Sequence, residues 1–224
     1  MSTSSTSTST GIMYCDYFLT GMGYSEQQFS LPRWEDLSVS RQGMYDDFLR
    51  FMPTQGWMFV PLTVYYGGGK AATFEPLADN LLEYEWALAQ YMGAGVSADW
   101  RGFRLYDTDE TKALVIKWVS FFKKYRAILT SDVVHVRRPD MQDIDSFMHV
   151  NPHLKFKGLA MVFNPTLKHI QRYLSLPLYY TGVTKSANIS EQENPPKQYS
   201  LASDYSVDVW VDLLPRNITW FLIQ

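Results

Sequence analysis

The side chains able to do chemistry gather in a few short stretches. Asp16 lies in MYCDYF, near the end of an apolar run that reads as a strand over about 11–18. A carboxylate late in such a strand is expensive unless it is used or paired. Residues 99–107, DWRGFRLYD, set Asp99, Arg101, Arg104 and Asp107 among Trp100, Phe103 and Tyr106. An arginine fork can grip vicinal hydroxyls or orient a carboxylate. Two readings of this stretch stand side by side. One is a ligand-facing loop with Asp99 and Arg101 on its rim. The other is an aromatic plug of Trp100, Phe103 and Tyr106 with Arg101 and Arg104 in structural ion pairs; the favoured placement pairs Arg104 with Asp107 and leaves Asp99 and Arg101 on the rim. Trp57 and Tyr65 offer flat rings on which a sugar could stack, although Trp57 also reads as core. Glu75, ahead of Pro76, reads as a carboxylate at a helix N-terminus rather than a catalyst. His135, His149, His153 and His169 show no metal-ligand spacing, so neither a metal nor a cofactor is expected. No serine or cysteine nucleophile motif is present.

Composition narrows the partners. The chain has 224 residues, enough for one large domain or two small ones. Its net charge of −3 gives no electrostatic case for nucleic acid or an anionic membrane. Cys15 stands alone, which rules out an internal disulfide. No apolar run approaches a membrane span. Residues 1–10 are a Ser/Thr tract with neither a basic start nor an apolar middle, so they read as a disordered tail rather than a signal peptide. Aromatic residues make up 16% of the chain, which tilts the ligand class toward carbohydrate.

The elements that must position these residues change character midway. Strands are expected over 11–18, 56–66 and 93–98, the second broken near Pro61. Helices are expected over about 34–51, from Pro76 to Gly93, and over 108–129. The last shows Leu114, Val115, Trp118, Phe121, Phe122, Tyr125, Ile128 and Leu129 at helical spacing. Asp107 and Glu110 have the spacing of a capping box at its start. Alternating strands and helices predict parallel pairing. Gly67, Gly68 and Gly69 lack the Lys-Ser/Thr ending of a phosphate loop. After Asp132 come short strand-like runs: 133–136, 146–150, 158–163, 169–176, 206–213 and 218–223. Asn-Pro and Arg-Pro-Asp turns separate them. Residues 186–199 read as a long polar loop. The fold class is therefore α/β plus all-β: a tail over 1–10, a βα region over 11–131, and an antiparallel β-sandwich over 132–224.

Several segments carry a family resemblance. GWMFVPLTVYYGGGKAATFEPL, YEWALAQYMGAGV with RGFRLYDTDETKALV, and later HVRRPD and KGLAMVFNP resemble the C-terminal part of α-galactosidase-like, melibiase-type glycoside hydrolases. The resemblance implies a partial (β/α)8 barrel, its last βα units, followed by the sandwich. It implies retaining hydrolysis of O-glycosyl bonds, with carbohydrate as the partner. It makes Asp16 the catalytic candidate, as nucleophile or as acid/base. Asp99, Arg101, Trp57 and Tyr65 become the substrate-binding candidates. Only three βα units are legible, whereas a barrel has eight. The chain therefore reads as truncated and without hydrolysis of its own, and as prone to self-association through open barrel edges. The alternative is a non-catalytic carbohydrate-binding module. Asp16→Asn in an active, complete relative should abolish turnover with the fold intact. If Asp16 is only a cap, the change should cost at most about 1–2 kcal/mol and leave turnover measurable.

Overall fold

The computed structural model describes residues 57–61, 75–95, 97–101, 104–137, 140 and 142–224. The expected strand over 11–18, the helix over 34–51 and the glycine triplet lie outside the described residues, as do Asp16 and Tyr65. The chain divides into two compact units, Met1–Lys124 and Tyr125–Gln224.

In the first unit, β1 (Trp57–Pro61) and β2 (Ser97–Arg101) pair in parallel, with Trp57 opposite Ser97 and Pro61 opposite Arg101. Pro61 is the last residue of β1 and pairs with Arg101. A single 3-10 turn (Ala78–Asn80) leads into α1 (Leu81–Gly93), which returns the chain for parallel pairing. Helix α1 is buried nearly all round, through Tyr84, Trp86, Ala87, Leu88, Ala89, Gln90 and Tyr91. Two expectations shift here. Pro76 precedes the 3-10 turn rather than opening the helix. The strand expected over 93–98 starts later: Gly93 closes α1, and Gly95 turns the chain at φ 72° while its N–H reaches the Met92 carbonyl at 3.2 Å. Glycine takes that left-handed conformation without steric cost. The strand therefore takes in Asp99, Trp100 and Arg101, which the sequence reading had placed in a loop.

Helix α2 (Asp109–Leu129) carries the chain onward. Trp118, Phe121, Tyr125, Ile128 and Leu129 are buried, while Lys117, Ser120, Lys123, Lys124 and Arg126 stay in water. This is the amphipathic stripe that the spacing predicts. Its cap differs from the expected one. The Thr111 N–H donates to the Thr108 hydroxyl oxygen at 3.3 Å, and the Thr108 N–H donates to the Thr111 hydroxyl oxygen at 3.0 Å. The reciprocal box is thus Thr108 with Thr111, because a threonine three residues on reaches back as a glutamate would.

The second unit holds two antiparallel sheets. Its strands are β3 (Asp132–Arg137), β4 (Asp145–Val150), β5 (Gly158–Phe163), β6 (Ile170–Pro177), β7 (Ser186–Glu191), β8 (Lys197–Ser200), β9 (Ser206–Leu213) and β10 (Ile218–Ile223). Six form one sheet in the order β3-β4-β5-β10-β7-β8, and β6 pairs with β9 in a two-stranded ribbon. Both sheets feed one core: Met148, Val150, Ala160, Val162 and Phe221 from the larger, Leu174, Leu176, Val207, Val209 and Val211 from the ribbon. Each fully buried Val or Leu contributes about 1.5–3 kcal/mol. In β9 the valines are buried and Asp208, Trp210 and Asp212 are exposed, the alternation legible in the sequence. Strands β4 and β5 are buried at every residue, so both faces are covered. Residues 186–199 are not a loop but the β7–β8 hairpin, Ser186 pairing with Ser200 and Ile189 with Lys197. Ser, Asn and Glu weaken any strand signal. Pairing of β7 with β10, Leu222 opposite Ser190, supplies the order that local composition does not.

Asp145 opens β4 at 1% exposure. Burial pushes its pKa up to about 8. The Asp140 charge adds to that, against the opposing Arg137 charge. The folded state thus holds a proton that the unfolded chain releases near pH 4. The stability this gives is complete below that pH and lost as pH rises through about 8. The slope is about 1.4 kcal/mol per pH unit in that window. Asp145→Asn should flatten the dependence and exceed the parent in stability at the alkaline end, read by urea unfolding across the window. Identical slopes in both proteins would refute the assignment.

Candidate functional site

The carboxyl ends of β1 and β2 are where two βα loops meet. In open α/β sheets and barrels this is the ligand side. The loop after β1 delivers Glu75, Leu77 and Ala78 to the start of α1. The loop after β2 delivers Arg104 to Thr108 to the start of α2.

Asp107 ties these loops together. Its Oδ2 accepts the Leu77 N–H at 2.9 Å and the Ala78 N–H at 3.3 Å. Its Oδ1 accepts the Thr111 hydroxyl at 3.0 Å. The first amides of a helix have no intrahelical acceptor, and a carboxylate there also meets the positive end of the dipole. Burial alone would raise the Asp107 pKa, but hydrogen bonds from Ala78, Thr111 and Leu77 outweigh it and hold the group below the usual carboxylate range. Nearby, the Tyr84 hydroxyl donates to the Leu105 carbonyl at 2.6 Å. Burial, helped by the Asp107 charge, drives the Tyr84 pKa far up and keeps the phenol neutral. Glu85 accepts from Lys117 at 2.6 Å and from the Trp118 indole at 3.3 Å, joining α1 to α2.

Arg104 does not pair with Asp107, as the sequence reading expected. It lies 3.5 Å from Glu75 in a half-exposed ion pair. Asp107 is taken by amides 29 and 30 residues away, a link no local spacing reveals. Asp107, from the other loop, meets the Leu77 and Ala78 amides at the 3-10 turn that precedes α1. Asp107 thus emerges as the residue that organises the rim. Its sequence signals were the capping spacing ahead of α2 and its place in the Asp/Arg stretch, and neither points to Leu77 or Ala78.

The other predicted residues sit as follows. Asp99 lies opposite Phe59 within β2, and Arg101 ends β2 opposite Pro61. Trp57 begins β1 opposite Ser97, four residues and about 13 Å along the strand from the Arg101 end. Among the described residues, no group of three or more His, Cys, Asp or Glu side chains could hold a metal ion. No helix among them is long and apolar enough to cross a membrane.

No family model matches the sequence, and no curated protein matches it. Solved structures do. A β-L-arabinopyranosidase of glycoside hydrolase family 27 from Geobacillus stearothermophilus, solved with arabinose, is similar at TM-score 0.55 and 11% identity, over 87% of this chain and 43% of its own. A debranching enzyme from Nostoc punctiforme matches at TM-score 0.52 and 11% identity, over 93% of this chain and 46% of its own. The galactosidase domain of an α-galactosidase-sucrose kinase matches at TM-score 0.51 and 15% identity, over 84% of this chain and 25% of its own. The chain thus shares its fold with α-galactosidase-type glycoside hydrolases, as the sequence segments suggested. It spans from a quarter to just under half of these proteins' lengths.

Asp107→Ala should cost about 1–3 kcal/mol, because it strands the Leu77 and Ala78 amides at once. Asp107→Asn, which keeps an acceptor but no charge, should cost less. The depressed pKa makes the Asp107 contribution present above the ordinary carboxylate range and lost as pH falls through its lowered folded value. Denaturation of the parent should therefore show an acid-side loss that Asp107→Asn lacks. Equal acid profiles would count against this.

Proposed function

We propose that this chain is a glycoside hydrolase-like protein of the α-galactosidase type. In this reading it supplies the last βα units of a (β/α)8 barrel and the β-sandwich that follows. The reaction is hydrolysis of an O-glycosyl bond with retention, which requires two carboxyl groups about 5–5.5 Å apart. Asp16 is proposed as one of them. Asp99 and Arg101, at and near the carboxyl end of β2, are proposed to meet sugar hydroxyls, with Trp57 and Tyr65 as aromatic contacts. Asp107 and Glu75 are assigned no catalytic role in this reading; their carboxylates sit in a capping contact and an ion pair.

One observation carries the reading. A parallel β1–α1–β2 unit, with its two loops joined at the carboxyl ends, precedes an antiparallel two-sheet unit, in a fold similar to sugar-cleaving enzymes. Because the chain spans under half of those enzymes, hydrolysis is proposed to need further barrel strands. Unpaired strand edges would then favour self-association through 11–18 and 56–66.

The test is a turnover assay with aryl α-galactosides and aryl β-L-arabinopyranosides. The chain alone should release no aryl group. The same chain complemented with the missing strands of a related barrel should release it, and Asp16→Asn should remove that release. Turnover by the unassisted chain would overturn the need for further strands. Turnover by the complemented Asp16→Asn protein would remove Asp16 from the mechanism.

A further inference from the structure

We propose that the second unit carries a sugar-binding site of its own, built on Trp210 and separate from any barrel chemistry. The outward face of the β6–β9 ribbon pairs Gln171 with Asp212, Tyr173 with Trp210, and Ser175 with Asp208. Tyr173 is 63% exposed and Trp210 46%. Their rings meet edge to face, with centroids 5.0 Å apart. A cross-strand contact of this kind fixes both rings before any ligand arrives. One step along the ribbon, Asp212 accepts from the Gln171 amide at 2.8 Å and lies 2.5 Å from the His169 ring nitrogen. Hydrogen-bonding groups are therefore held in place beside the aromatic pair.

A second observation meets the first at the same ring. A groove of about 450 Å³ runs between β9 and the β7–β8 hairpin, and Trp210 forms part of its wall. Glu191, Asn194, Lys197 and Tyr199 line it as well, over an apolar floor that includes Phe221. Pro195 and Pro196 stiffen the hairpin side, and the Asn194 N–H closes the turn onto the Glu191 carbonyl at 3.0 Å. The volume falls within the range of small-molecule sites.

The chemistry selects the ligand. Trp210 and Tyr199 offer apolar ring faces to the C–H face of a pyranose. Glu191, Asn194 and Lys197 offer an acceptor, an amide and a donor to its hydroxyls. Glu191 and Lys197 carry opposite charges, so the groove has no net preference for an anion. The occupant is a neutral mono- or oligosaccharide, one unit in the groove and the next over the Tyr173–Trp210 pair. The choice of sugar as ligand class rests on the carbohydrate reading above; the site itself needs no catalytic carboxylate.

The experiment is titration calorimetry on the full chain with arabinose, melibiose, xylo-oligosaccharides and malto-oligosaccharides, alongside tryptophan fluorescence. At least one saccharide should bind and perturb the fluorescence. Trp210→Ala should weaken that binding about tenfold or more, the effect of removing a buried aromatic contact. The double variant Asn194→Ala/Lys197→Ala, which leaves the ribbon untouched, should weaken it several-fold. Leu167→Ala, at an exposed position elsewhere, should change nothing. Circular dichroism and thermal melting establish that each variant is folded. Binding that survives both Trp210→Ala and the double variant would overturn the site while leaving the carbohydrate reading in place. No binding of any of these sugars up to about 10 mM would overturn the site outright, whereas the hydrolase reading is judged by turnover in the complemented barrel.

Discussion

The carboxylate of Asp107 is the constraint on which the described part of the first unit depends. A helical turn presents amides with no acceptor of their own, and the 3-10 turn ahead of α1 presents those of Leu77 and Ala78. One oxygen of Asp107 meets two of those amides. The other oxygen reaches Thr111 in the first turn of α2. A single side chain therefore ties the 3-10 turn ahead of α1 to the first turn of α2. The Glu85 contacts to Lys117 and Trp118 hold the same helices together further along. The ion pair between Glu75 and Arg104 is half-exposed, and pairs of that kind contribute about 0–1 kcal/mol. The cap, not the ion pair, is what fixes the rim.

In the second unit the decisive feature is the inequality of the two sheets. Six strands face a ribbon of two. The valines of β9 and the leucines of β6 pack into one core with residues of the larger sheet. The groove is lined by Trp210 of β9 and by residues of β7, β8 and β10. Asn164 fastens the other side: its buried amide donates to the carbonyls of Lys168, Leu213 and Leu214 at 2.8, 3.1 and 2.9 Å. That joins the turn after β5 to the end of β9. A buried amide saturated in this way locks one register for the ribbon, because any slip would leave polar groups unpaired.

These two arrangements divide the acidic residues by role. Asp107 is spent on capping, Glu75 on an ion pair, and Asp145 is buried beside Asp140 and Arg137. The fold is shared with sugar-cleaving enzymes, but a fold hosts chemistry only through particular side chains. In the proposed reading those are Asp16, Asp99 and Arg101. A second sugar site on the β unit would act by binding alone, through rings and hydroxyl partners and not through acids.

Wherever a residue's role was set by its neighbours in sequence, the sequence determined it. The stripe of α2, the alternation of β9 and the unbroken apolar run of β5 were legible for that reason. Periodicity reports which faces are buried. Parallel pairing of β1 with β2 followed from the helix between them. The tertiary structure alone decided the rest. It turned residues 186–199 into a hairpin, because pairing with β10 outweighs the weak strand preference of Ser, Asn and Glu. It gave Asp107 to Leu77 and Ala78 instead of Arg104, because orphan amides attract a carboxylate wherever in the chain it originates. It brought Tyr173 and Trp210 together from 37 positions apart. Local pattern encodes the burial of a face; the partner across a sheet or at a helix end is fixed only when the chain has closed.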